Sequence, residues 1–184
     1  MSNRLAICRQ LLSLAAIFTF VSAAASVRAE TFLKIEGVEG EVSFPGHEKE
    51  IDLLSYSFGL QNPSTRMSGG TAGGKAQFHE FNFTKYLDKS SPVLMKGCAL
   101  GSHYTTATLS ARKPGSNVEY LVVKMSDVII TSYNVSSSQG SVIPAESLSL
   151  NYAKIEFIYT RETAAGGPQE VVRAGWDLAL SKPF

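Results

Sequence analysis

Residues 75–101 read KAQFHEFNFTKYLDKSSPVLMKGCALG, and the fold turns on them. Phe81 and Phe83 alternate with Asn82, the period of two of a half-buried strand. Ala76 and Phe78 also alternate, but out of phase with that pair. One extra residue near His79-Glu80 would restore the phase, so a β-bulge is expected there. The period then changes. Ser91-Pro92 reads as an N-cap followed by proline at the first helical position, where a missing N–H is harmless. Val93, Leu94, Gly97, Cys98 and Leu100 fall on one helical stripe, and Gly101 suits a C-terminal cap. The stretch predicts a strand followed by a short helix packed on a sheet.

Outward from this unit, most of the remaining sequence reads as strand. Thr31–Val38 alternates, with turns expected at Glu39-Gly40-Glu41 and Pro45-Gly46-His47. Residues 50–60 predict one long strand with Leu54, Tyr56 and Phe58 on a face. Gln61–Gly74 holds four glycines and a proline, and is expected to be a long loop. Beyond the helix, His103–Lys113 and Val118–Met125 flank Pro114-Gly115, a hairpin signal. Ser126-Asp127 interrupts before Val128–Val135. Residues 147–161 form the longest expected strand. Its apolar phase flips near Tyr152-Ala153, which predicts a bulge or a passage between two packing environments. Glu170–Leu178 closes the chain with its only tryptophan, Trp176. Seven or eight strands, one helix and no βαβ alternation predict a mainly β fold. The expected form is an antiparallel β-barrel or sandwich with a helix on its flank.

The first 29 residues read as a leader rather than as fold. Arg4 and Arg9 precede an apolar run, Leu11–Val21, too short for a permanent span. Val27-Arg28-Ala29 supplies the small residue that signal peptidase needs, with Ala23-Ala24-Ala25 as a competing site. Residues 1–29 are expected to be cleaved, leaving 30–184 as a single domain large enough to bury a core. The whole chain is +1, from 17 basic and 16 acidic residues. Losing Arg4, Arg9 and Arg28 leaves 14 basic against 16 acidic, so the mature domain is nearly neutral at −2. That argues against nucleic acid or an anionic membrane surface as the main partner. No segment is expected to stay in a membrane after cleavage.

No motif in the chain demands an enzyme, and no catalytic, cofactor-binding or metal-binding residue is assigned. Cys98 is the one cysteine after the leader, so no internal disulfide can form in the mature domain. Its place on the apolar stripe predicts a buried small hydrophobe, with a reactive nucleophile as the sharper alternative. His47, His79 and His103 lack ligand spacing. Gly69–Lys75 imitates a phosphate-binding loop, but Ala76 stands where a hydroxyl should hold magnesium, and a strand follows instead of a helix.

The order of elements resembles a known family. FLKIEGVEGE at Phe32–Glu41 looks like its opening strand and turn, and His47 with Glu50-Ile51 like the pattern before its second strand. Ser55–Gly59 is similar to its S-x-x-x-G strand. KAQFHEFNFTKYLDKSSPVL resembles its K-x-x-x-x-x-F-x-F-x-K-x-x-D-x-x-S-P-x-L block. ATLSARKPG, VEYLVVKMSDVIITSYNV and ESLSLNYAKIEFIYT follow in the same order. The family is Hcp, the haemolysin-coregulated tube proteins of type VI secretion systems, and the likeness runs through residues 31–178. It implies an antiparallel β-barrel of two packed sheets with one short flanking helix, and no catalytic residues. It also implies a homo-oligomeric ring, usually a hexamer, whose rings stack into a tube able to hold effector proteins. Under it, Gln61–Gly74 becomes an extended loop contacting neighbouring subunits, with Arg66 and Met67 as contact residues. The leader departs from the family, whose tube proteins assemble in the cytoplasm. Either the start site is misassigned and assembly is cytoplasmic, or this is an exported relative, periplasmic or extracellular. Residues 1–29 satisfy all three parts of the signal pattern, which favours export. The alternative function is an exported β-barrel binding module, monomeric or oligomeric, outside any secretion tube.

Overall fold

The computed structural model describes residues 29–184 except 64, 68, 69, 73 and 164–166; of 65–67 and 70–72 it describes the backbone alone. Residues 1–28 of the expected leader 1–29, with its apolar run, lie outside the described residues. In chain order the elements are β1 (Glu30–Ile35), β2 (Ile51–Asp52), β3 (Ser55–Ser57), β4 (Leu60–Gln61) and β5 (Thr65–Met67). Next come β6 (Gly70–Ala72), β7 (Gln77–Phe78), β8 (Phe81–Tyr86), α1 (Ser91–Leu100) and β9 (His103–Arg112). The chain ends with β10 (Glu119–Ser136), β11 (Ala145–Glu162), β12 (Pro168–Asp177) and β13 (Lys182–Pro183). Among the described residues the fold is mainly β and antiparallel with one helix, as expected from the sequence.

Nine strands form one antiparallel sheet that runs β13-β12-β11-β10-β9-β1-β2, and β8 branches from β11 carrying β3. The two 18-residue strands bend this sheet around the core. Residues 145–150 of β11 pair with β8, whereas residues 154–162 pair with β12. β11 therefore passes from one packing environment to another, and the buried phase shifts from Leu148, Leu150 and Tyr152 to Ile155 and Ile158. β10 shifts at the same level. Met125 and Val128 are both buried, and between them Asp127 takes a left-handed φ of 52°, which aspartate tolerates better than most residues. The expected interruption at Ser126-Asp127 is thus a change of phase within one continuous strand.

The chain between β2 and β3 carries the wall from β1 to β8. Leu53 N donates to Thr31 O at 3.0 Å, and Leu54 N to Thr84 O at 2.8 Å. Among the described residues the strands wrap most of the way round the core, and the ladder stops short of closing. Leu33, Ile51, Phe81, Leu109, Val123, Met125 and Leu150 are wholly buried at its centre.

Several local expectations are corrected. Residues 50–60 break into β2, β3 and β4, because each piece takes a different partner: β1, β8 and β7. The phase change at His79-Glu80 comes from the same cause. β7 pairs β4 while β8 joins the main sheet, so a change of partner replaces the expected bulge. The loop 61–74 contains a hairpin of β5 and β6. The turn expected at Glu39–Glu41 falls at Glu36-Gly37, where Gly37 has a φ of 81°. Gly40 instead runs beside Lys49 and Glu50, with Gly40 N donating to Lys49 O at 2.7 Å. A Cβ there would lie 2.1 Å from Glu50 O, so only glycine fits. The helix begins at Ser91 itself, with Ser90 as the flanking residue, and Gly101 closes it in the left-handed conformation at φ 61°. Its buried face is narrower than the apolar stripe. Leu94 and Gly97 are buried, but Val93 and Leu100 are 45% and 69% exposed.

Candidate functional site

The polar residues of the 75–101 stretch meet at one buried point. Lys85 continues the inward phase of Phe81 and Phe83 along β8. Glu146 occupies the inward phase of Leu148 and Leu150 on β11, directly across the ladder from Lys85. Lys85 Nζ lies 2.7 Å from Glu146 Oε2 and 2.8 Å from Asp88 Oδ1. It also donates to Tyr86 O at 2.9 Å and Ser91 Oγ at 3.0 Å. Ser91 Oγ in turn donates to Glu146 Oε2 at 2.8 Å and accepts Asp88 N–H at 3.1 Å. Asp88 Oδ1 accepts the N–H of Ser90 at 2.8 Å and also its hydroxyl. Tyr133 of β10 donates its phenol to Glu146 Oε1. Burial first, and then that hydrogen bond, push the Tyr133 phenol up to about 12.

This network ties the first turn of α1 to β8, β10 and β11. A buried charge is tolerable only when paired and hydrogen-bonded, and every polar atom named here is satisfied. Lys85 and Glu146 have no exposed side-chain surface, so no substrate can reach them. The arrangement holds the first turn of the helix against the sheet. Farther along α1, Gly97 lets the helix sit on Tyr104: a Cβ there would lie 2.0 Å from Tyr104 Oη. Burial and the neighbouring Cys98 raise the Tyr104 phenol. Cys98 itself is half-buried against the core.

A second polar cluster covers the start of β1. His47 stacks on Phe32 with centroids 4.4 Å apart. Its ring nitrogens face Glu50 at 2.8 Å and Glu119 at 3.3 Å. Arg112 lies over the Phe44 ring, 4.6 Å from its centroid, and reaches the Ser116 carbonyl. His79 and His103 go elsewhere. His79 N donates to Gly59 O at 2.9 Å, while exposed His103 pairs with Asp127 at 2.8 Å. Among the described residues no group of histidine, cysteine and carboxylate side chains could hold a metal.

The remaining features are surfaces. Gln61–Gly74 places Arg66 and Met67 on β5 of its hairpin; their side chains lie outside the described residues. On β12, residues 168–174 pair with β11 on one side only among the described residues, since β13 covers Trp176 and Asp177 and Phe184 N donates to Gly175 O at 3.3 Å. Val171 and Val172 there are 50% and 56% exposed. Beside this edge an apolar cleft of about 520 Å³ opens between Phe58, Leu60, Phe78, Phe157 and Trp176. Among the described residues no helix is long and apolar enough to cross a membrane.

The sequence reading missed Glu146 and Tyr133. The signal was present as a carboxylate in the inward phase of one strand and a lysine in the inward phase of another.

The family model described as "Type VI secretion system effector, Hcp" matches residues 32–159. Protein hcp1 of Pseudomonas aeruginosa is 38% identical over 156 residues, covering 81% of this chain and 94% of that protein. A solved structure titled "Structure of a type six secretion system protein" superposes with a TM-score of 0.82 at 26% identity, covering 85% of this chain and 100% of that one. Hcp1 from Salmonella typhimurium gives 0.71 at 31% identity, covering 85% and 99%. A type VI secretion system effector from Yersinia pestis gives 0.66 at 31% identity, covering 80% and 98%. The match runs through the strand–helix unit and both long strands, and it accounts for nearly the whole length of each relative. The chain belongs to the Hcp family of type VI secretion proteins.

Proposed function

We propose that residues 30–184 form a non-enzymatic, ring-forming subunit, six copies to a ring, whose rings stack into a tube that holds or passes effector proteins. The observation that carries this reading is the outer edge of β12, open over residues 168–174 among the described residues. An unpaired run of backbone N–H and C=O groups, flanked by exposed valines, is a template for another chain, and monomers blunt such edges. The apolar cleft beside it extends the same surface. Full family membership supports an assembly role for that surface. The hairpin carrying Arg66 and Met67 would then contact a neighbouring subunit or the next ring.

Residues 1–29 would direct the chain out of the cytoplasm and be removed after Ala29. N-terminal sequencing of the exported protein tests this, with Glu30 as the expected first residue.

Light scattering tests assembly. The mature domain is expected at about six subunit masses. Val171→Glu with Val172→Lys should reduce the mass to that of a monomer while the circular dichroism spectrum stays unchanged. A wild-type domain that stays monomeric at high concentration would favour a lone binding module.

A further inference from the structure

We infer that the Ala29–Glu30 bond can be cleaved only while the chain is unfolded, so that folding and export compete for the leader. This rests on reading residues 1–29 as a cleaved leader. Ala29 is exposed, but β1 begins at the very next residue. A protease needs several residues on each side of the bond in an extended, accessible form. On the downstream side those residues are Glu30, Thr31, Phe32 and Leu33. All four are paired to β9, opposite Arg112, Ala111, Ser110 and Leu109. The other edge is taken too. Phe32 and Leu33 face Asp52 and Ile51 of β2, and the Thr31 carbonyl accepts Leu53 N–H at 3.0 Å. Thr31, Phe32 and Leu33 are 9%, 5% and 0% exposed. β1 thus lies between two partners, with no spacer between cleavage site and sheet.

Hydrolysis adds water across the Ala29–Glu30 amide, leaving a carboxylate on Ala29 and an ammonium on Glu30. In the folded domain, reaching that amide requires peeling β1 from both neighbours and exposing Leu33, a wholly buried core residue. The rate then follows the small open population. A chain that folds before export keeps its leader for as long as β1 stays paired. A chain exported unfolded loses it and folds into a domain that starts at its own first strand. One sequence therefore has two fates, set by which process is faster.

The test uses the full chain with purified signal peptidase in detergent, read by intact mass. Three samples are compared: folded wild type, a Phe83→Asp variant confirmed unfolded by circular dichroism, and a folded variant with Gly-Ser-Gly-Ser inserted between Ala29 and Glu30. Folded wild type should be cut at least about 100-fold more slowly than the unfolded variant, and the insertion should restore rapid cutting. Equal rates for folded and unfolded chains would overturn the inference while leaving the leader reading intact. Resistance of the spacer variant would also overturn it, because β1 would not be the cause. No cleavage in any sample would remove the leader reading, and the inference with it.

Discussion

Lys85 and Glu146 face each other across the β8–β11 ladder with their charged atoms 2.7 Å apart and both side chains wholly buried. Asp88, Ser91 and Tyr133 complete the shell. The charged and hydroxyl residues of F-x-F-x-K-x-x-D-x-x-S are therefore a device for seating a helix. They share a motif because they share one buried point, which is why such a block can be specific without being catalytic.

Removing one member of the pair strands the other. Lys85→Met should cost about 3–5 kcal/mol, since Glu146 and Asp88 lose their buried cation. Adding Glu146→Leu should recover a large part of that loss. Urea denaturation of the single and double variants measures the coupling; simple additivity would mean the pair does not act as a unit.

Gly97 is a packing residue. In Gly97→Ala the new methyl would lie 2.0 Å from Tyr104 Oη and 3.1 Å from its Cζ. Overpacking of this kind costs about 1–3 kcal/mol. Tyr104→Phe removes the nearest atom, so Gly97→Ala with Tyr104→Phe should be more stable than Gly97→Ala alone. A thermal melt decides the order.

Tyr133 and Tyr152 contribute to alkaline stability. Burial pushes the Tyr133 and Tyr152 phenols up to about 12. Each folded value exceeds the unfolded one near 10, so the folded state holds its proton longer. That stability is fully present below about pH 10 and is lost as pH rises from there through 12. Titration at 295 nm should show late tyrosinates that include these two, and Tyr133→Phe or Tyr152→Phe should each remove one. Ordinary titration of both in the native protein would contradict their burial.

Asp177 sets part of the acid limb. Leu180 N–H at 2.8 Å, and then Lys154, hold its carboxyl below the usual range. The contribution is present above the ordinary carboxylate pKa and is lost as pH falls through the lower folded value. Asp177→Asn should flatten the acid side of the stability profile while lowering stability at neutral pH.

Much of this fold is legible in the residues. The phase flip at Tyr152-Ala153 announces the passage of β11 from β8 to β12, because a strand that changes partners must change its buried face. Gly101 and the Pro114-Gly115 turn stand where backbone geometry asks for them. The break at His79-Glu80 was visible, but its cause was not: a phase shift looks the same whether a residue is inserted or the neighbour changes. Helical periodicity overstated the buried face of α1, since only one edge of the stripe meets the sheet. Lys85 and Glu146 were legible as inward phases, yet polarity argued for the surface, and only their opposition across the ladder makes burial tolerable.

Negative-stain microscopy of purified residues 30–184 tests the ring-forming role most directly. Closed rings of about six copies, lost when Val171→Glu and Val172→Lys disrupt the β12 edge, are the predicted result. A uniform field of single domains at concentrations where the protein is fully folded would contradict it.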